Sequence, residues 1–209
     1  MTGRIIESAD DIAEGAAWLA GRETRFAEAL EQTGLPPLRR RDDGFRPLLN
    51  AIVSQQLSVA AADGIWARME AAGATEREAV AEAREDTLRA CGLSRPKIRY
   101  AKELARCGVD FAALRSLPDE AVVAKLVRIK GIGVWTAEIY AMFSLGRADM
   151  LAAGDLALQE AARVLFGLDE RPAEKALREM AVAWSPWRAV AARLLWAYYR
   201  HAKRREGIR

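Results

Sequence analysis

Asp155 is the acidic residue whose setting in this 209-residue chain points most directly to chemistry. It follows Gly154 and precedes LALQEAARVLF, a stretch with the apolar spacing of an amphipathic helix. An aspartate at a helix start accepts hydrogen bonds from the first unpaired backbone N–H groups. A carboxylate held this way is also oriented, so capping and stabilising a developing positive charge are compatible roles. Upstream, Gly131-Ile132-Gly133 forms a tight turn between two segments with helical spacing. Ala121, Val122, Leu126 and Ile129 precede it, and Trp135, Ile139, Met142 and Phe143 follow. The glycines permit backbone conformations closed to other residues and let a ligand approach closely. Backbone N–H groups at such a turn and at a helix start bind phosphate without reading sequence. A Gly-x-Gly alone fits a plain helical corner equally well.

Other chemistries lack their residues. The two cysteines, Cys91 and Cys107, form no CxxC, and with the single histidine His201 there is no zinc constellation. Nothing asks for a disulfide, and a reducing cytosol is the simpler context. Hydrophobic content of 51% and charged content of 29% fit a soluble globular protein. The net charge of +3 permits a nucleic-acid partner without demanding one. Basic residues gather at Arg39-Arg40-Arg41 and at Arg200, Lys203, Arg204, Arg205 and Arg209, where a solvated face is the ordinary reading. No apolar run reaches membrane-spanning length and no signal-peptide core opens the chain, so a cytoplasmic location without membrane association is expected.

The elements that must position these residues read as helices throughout, which predicts an all-α fold. Residues 9–33 predict one or two amphipathic helices, stopped by Gly34 and Pro36-Pro37. Residues 45–55 and 59–72 predict two more, joined by Ser54-Gln55-Gln56-Leu57-Ser58. A helix is predicted over 75–90, then one entered through Ser94 and Pro96. Pro118-Asp119-Glu120 opens the helix before the glycine turn, with acidic residues suited to its dipole. After Asp155 a helix runs through Phe166, another runs from Arg171-Pro172 to Trp184, and a last one follows Ser185-Pro186.

Several segments taken together resemble one family. Leu126-x-x-Ile129-x-Gly131-Ile132-Gly133-x-Trp135-Thr136-Ala137, followed by Gly154-Asp155-Leu156-Ala157-Leu158, is similar to the hairpin and aspartate of the helix-hairpin-helix DNA glycosylases. Within them it most resembles the 3-methyladenine DNA glycosylase II (AlkA) type. Asn50 to Ala62 is similar to the family's FxxLxxxIxxQQxS segment, Gly92 to Lys97 to its Gly-Leu-Ser-x-x-Lys, and Trp184 to Arg188 to its Trp-x-Pro-Trp-Arg. The resemblance covers roughly Phe45 to Tyr199.

It implies two packed helical lobes with an active-site cleft between them: a central lobe over 45–155 with the hairpin at 126–143, and a second built from 1–44 and 156–209. It implies Asp155 as the catalytic carboxylate, Trp135 and Trp196 at the base pocket, and Gln56 with Leu57 as the wedge filling the gap left by a flipped nucleotide. Lys130, Gly131, Ile132, Gly133, Thr136 and Lys97 would meet the DNA backbone. The carbonyls of Val127, Ile129 and Gly131 would hold a monovalent cation, Na+ or K+. No cofactor is required for the chemistry, and the four-cysteine iron–sulfur pattern of some relatives is absent. The expected partner is double-stranded DNA with alkylated bases, the expected state a monomer, and the source bacterial.

The implied activity is monofunctional base excision from alkylated purines such as 3-methyladenine or 7-methylguanine. 1-Methyladenine, ethenoadenine and hypoxanthine also remain open. Bifunctional relatives carry a lysine after the hairpin that forms a Schiff base; Trp135 stands there and cannot. Two departures matter. Ala152 replaces the proline common before the aspartate, and the N-terminal β domain of the larger enterobacterial-type enzyme has no counterpart. The competing reading is a non-catalytic helix-hairpin-helix module that binds DNA backbone. It accounts for the glycine turn and the basic residues, but not for Asp155, Trp135 and Gln56 in one register. A helical protein-interaction domain accounts only for the amphipathic helices.

Overall fold

The computed structural model describes residues 3–205. Arg209 of the basic C-terminal cluster lies outside the described residues, as do the side chains of Arg204 and Arg205. In chain order the helices are α1 (Ala9–Ala20), α2 (Thr24–Thr33), α3 (Phe45–Ser54), α4 (Val59–Ala71), α5 (Arg77–Glu82), α6 (Glu85–Ala90) and α7 (Arg95–Arg106). There follow α8 (Asp119–Leu126), α9 (Val134–Phe143), α10 (Leu156–Phe166), α11 (Glu174–Met180) and α12 (Arg188–Arg205). Short 3-10 turns occupy Ala112–Ser116 and Ala181–Trp184. Among the described residues there is no strand, only an isolated antiparallel bridge between Ile5 and Arg147. The protein is all-α. No helix among these residues is long and apolar enough to cross a membrane.

Two predicted helices differ in detail. The stretch 75–90 breaks into α5 and α6, because Ala83 and Arg84 turn to extended backbone (ψ 139 and 146). Lys102 Nζ donates to the Ala83 carbonyl and Arg106 Nη2 (2.9 Å) to that of Ala81, which satisfies the end of α5 from another helix. The helix expected from Arg171 begins only at Glu174 and finishes as a 3-10 turn.

The chain divides into two compact units. One is Arg41–Tyr140; the other combines the described residues of 2–40 and 141–209. These divisions differ from the expected 45 and 155, and Asp155 belongs with the C-terminal helices. The cause is the N-terminal segment. Ile6 N–H donates to the Gly146 carbonyl (2.7 Å) and Ala148 N–H to the Arg4 carbonyl (3.0 Å), so residues 146–148 are tied to the start of the chain.

In the first unit Leu48, Leu49, Ile52 and Val53 form the buried face of α3 and meet α4 and α7. Ile98, Ala101 and Leu104 complete this core from α7, and Val122 and Leu126 bury one side of α8. Each large aliphatic side chain removed from water contributes about 1.5–3 kcal/mol.

In the second unit α12 packs on α10, α2 and α1. Phe26 meets Trp184 (5.3 Å between centroids) and Phe166 (5.7 Å) edge-on, while Phe166 stacks on Trp184 (5.9 Å). Trp187 lies so close to Gly15 of α1 that a Cβ there would sit 2.7 Å from its ring. Trp184 and Trp187 are therefore core residues. Ser8 and Asp11 cap α1 reciprocally.

Candidate functional site

Asp155 is the N-cap of α10. Its Oδ1 accepts from the backbone N–H of Ala157 (2.9 Å) and Leu158 (3.0 Å), which orients the carboxylate at the positive end of the helix. A third donor reaches the same oxygen: the indole Nε1–H of Trp196, on α12, at 3.2 Å. The loop ahead of Asp155 is firm without a proline. Leu151, Ala152 and Ala153 are buried, Asp155 N–H donates to the Ala152 carbonyl (2.9 Å), and the buried Gln159 amide donates to the Ala153 carbonyl (2.9 Å).

Behind Trp196 an aromatic–cation stack continues. The Phe143 ring is tilted 31° to Trp196 with centroids 5.8 Å apart, and the Arg193 guanidinium lies 4.6 Å from the Phe143 centroid. Arg193 is 3% exposed and donates to the Ala189 carbonyl (2.8 Å). Burial, with Arg40 and Arg39 nearby, pulls it down to about 10. Pro36, Arg39, Phe143, Arg193, Trp196 and Arg200 line a narrow recess of about 10 Å³. One side of Trp196 is thus strongly cationic.

The hairpin and the double-glutamine turn form a second cluster, within the first unit. Gly131 has a positive φ of 94°, and a Cβ on it would fall 2.5 Å from Tyr100. Glycine is required there on both counts. Gly133 differs from the expectation for a glycine pair: it is exposed, has no positive φ, and a Cβ would meet nothing within 4 Å. Nothing in the protein demands glycine there, and the space above the first turn of α9 is open. Ile132 and Thr136 are buried (4% and 7% exposed). The predicted backbone contact therefore narrows, at these two positions, to main-chain groups. Lys130 is exposed, and Trp135 is 45% exposed on the first turn of α9.

Gln56 and Leu57 are both exposed in the turn between α3 and α4. Gln56 is one of two described non-glycine residues with positive φ (57°). Such a conformation costs on the order of 1–3 kcal/mol and persists only where its surroundings fix it. Two groups fix it here. Gln55 Nε2 donates to the Gly131 carbonyl (2.9 Å), joining the turn to the hairpin. Lys97 Nζ donates to the carbonyls of Val53 (2.6 Å) and Gln55 (2.7 Å), closing the C-terminal end of α3.

Lys97, expected at the DNA backbone, gives two of its three N–H donors to this internal clamp, and burial lowers the affinity of its amine for a proton. Of the three carbonyls expected to hold a cation, Ile129 accepts from Ile132 N–H (3.0 Å) and Gly131 from Gln55. The sequence reading missed Gln55, Gln159 and Tyr100. Only the unusual Gln-Gln pair offered a signal for any of them.

Residues 49–186 match the HhH-GPD superfamily of base excision DNA repair proteins. The chain belongs to that superfamily. It is 27% identical over 193 residues to YfjP of Bacillus subtilis, assigned by name to the DNA-3-methyladenine glycosylases; the match covers 83% of this chain and 65% of that protein. A solved DNA-3-methyladenine glycosidase of Bacillus halodurans is 33% identical with a TM-score of 0.80, covering 95% of this chain and 93% of that one. The 3-methyladenine DNA glycosylase of Schizosaccharomyces pombe, solved in complex with abasic DNA, is 28% identical with a TM-score of 0.75, covering 88% and 95%.

Proposed function

We propose that this HhH-GPD chain is a monofunctional DNA glycosylase that hydrolyses the N-glycosidic bond of alkylated purines in duplex DNA, such as 3-methyladenine or 7-methylguanine. The observation that carries the reading is Asp155. Its carboxylate is fixed by two backbone N–H groups and the Trp196 indole, in a chain whose relatives bear the names of 3-methyladenine glycosylases.

Departure of the base leaves a sugar with oxocarbenium character. A fixed carboxylate stabilises that charge and helps orient the attacking water. An alkylated purine already carries positive charge and leaves readily, so a strong general acid is not needed. Reaching the base requires flipping, which costs a few kcal/mol of unstacking. Gln56, exposed and held in a strained conformation by its neighbours, is suited to fill the vacated space and to hydrogen-bond the orphaned base. The open main chain at Gly133 is suited to a phosphate, as N–H groups at a helix start are. Trp135 lacks an amine and cannot form an imine with the sugar, so no strand cleavage follows base release.

The carbonyls of Val127, Ile129 and Gly131 suit a monovalent cation in donor chemistry. The two that accept hydrogen bonds within the chain each use one of two lone pairs. Bound there, the ion would supply positive charge toward a phosphate. The protein acts as a monomer in the cytoplasm of a bacterium in this reading.

The test is release of free base from methylated duplex DNA, with binding of abasic DNA measured alongside. The cationic side of Trp196 bears on lesion choice, so the panel includes neutral hypoxanthine. Release by wild type without a borohydride-trappable enzyme–DNA adduct is expected. Binding without release on every lesion would establish the non-catalytic backbone-binding module instead, and a trapped adduct would overturn the monofunctional assignment.

A further inference from the structure

Beside the hairpin, within the first unit, an open groove of about 570 Å³ lies between the end of α7 and the end of α8. Lys125, Arg128 and Lys130 line it, with Glu103, Cys107 and Val109. All three cations are exposed, and none makes a hydrogen bond or ion pair with another described residue. Elsewhere in this unit Arg46 is engaged by Glu70 and Glu76, Arg89 by Asp86, and Arg115 by Asp43. Three unpaired cations against one carboxylate make the groove an anion site by charge.

We infer that this groove is a second phosphate-binding tract, which takes the phosphodiester backbone of the strand bound at the hairpin. The inference rests on the DNA-binding reading above. Its first support is continuity. Ile129 and Lys130 belong both to the groove and to the hairpin, so a strand with one phosphate on the Gly131–Gly133 main chain brings its neighbours past Lys130. Its second support is the spacing of the cations along the chain, in steps of three and two residues from the last turn of α8 into the hairpin. All three line one groove, so their charges act together on a polyanion that enters it. Its third is that the groove opens to solvent, so an extended chain can pass along it. Phosphate contacts of this kind fix orientation and carry no sequence information, which suits an enzyme that must act at any sequence.

The test uses the full chain and a duplex with a central abasic site, with affinity measured across a range of salt. Removing one cation from a phosphate lowers the slope of log K against log salt by about 0.9. The double variant Lys125→Gln/Arg128→Gln should therefore lower it by about 1.8. The control, Arg84→Gln/Arg89→Gln, removes the same charge at two residues that do not line the groove. Cys107 gives an independent readout, because it is half-buried in the groove while Cys91 is buried. Bound duplex should slow alkylation of Cys107 by a maleimide.

A slope no lower than the control's, or Cys107 protected by pyrophosphate but not by duplex, overturns the tract. Absence of any duplex binding by wild type would instead sink the DNA-binding reading, and the tract with it.

Discussion

Replacing Asp155 by asparagine and by alanine separates the two roles its position gives it. In the structure Oδ1 accepts from Ala157 N–H, Leu158 N–H and the Trp196 indole. Asparagine keeps an acceptor oxygen and is as good an N-cap as aspartate, so Asp155→Asn should change stability by less than about 0.5 kcal/mol. It removes the charge, and losing one fixed electrostatic stabiliser costs on the order of 10²–10³ in rate, or about 2.7–4 kcal/mol. Asp155→Ala removes the acceptor as well. Loss of the cap costs about 1–2 kcal/mol, which in a chain of this size lowers Tm by roughly 2–8 °C. The assay pairs thermal unfolding with single-turnover base release from methylated duplex. The expected pattern is a stable, slow asparagine variant and a slow, less stable alanine variant. An asparagine variant within a few-fold of the wild-type rate would refute the reasoning, since Asp155 would then be a cap alone.

The hairpin glycines should behave oppositely. Gly131→Ala meets both a positive φ and Tyr100, and should destabilise by about 2 kcal/mol or more in denaturant unfolding. Gly133→Ala should unfold as wild type does but weaken binding of abasic DNA, because the methyl enters space the protein leaves open. Lys97→Met should cost about 1.5–3 kcal/mol, the worth of hydrogen bonds from a charged donor, without lowering the salt slope of DNA binding; a lower slope would restore the phosphate contact. Backbone N–H groups of Glu7 and Ser8 hold the Asp11 carboxyl at about 2 against an ordinary 3.8. Because the folded value is depressed, the stabilisation is present above pH 3.8 and is lost as pH falls toward 2. It is worth up to about 2 kcal/mol, so the stability gap between wild type and Asp11→Asn should close over that window.

Much of the fold was legible because its signals are local. The 3.6-residue spacing of Leu48, Leu49, Ile52 and Val53 gave α3, and Asp155 before LALQEAARVLF gave the start and cap of α10. The break between α5 and α6 was not legible, since Ala83 and Arg84 carry no turn signature. Carbonyl partners supplied from α7 make that break tolerable. The glycine pair was only half legible: Gly131 is set by Tyr100 and its own φ, whereas Gly133 is defined by what is missing around it.

For the candidate site, residue types and spacing pointed to Asp155 and the hairpin, and the family resemblance pointed to Gln56 and Trp196. The tertiary structure alone decided which polar group holds which. Lys97 reaches carbonyls 42 and 44 residues away, Gln55 reaches one 76 away, and Trp196 reaches a carboxylate 41 away. A lysine just after a proline at a helix start reads as a surface charge, because a flexible four-carbon stem donates wherever the fold brings an acceptor within about 3 Å. Helix periodicity and capping are set by neighbours within four residues. A hydrogen bond between distant residues is set by packing, and no spacing in the sequence records it.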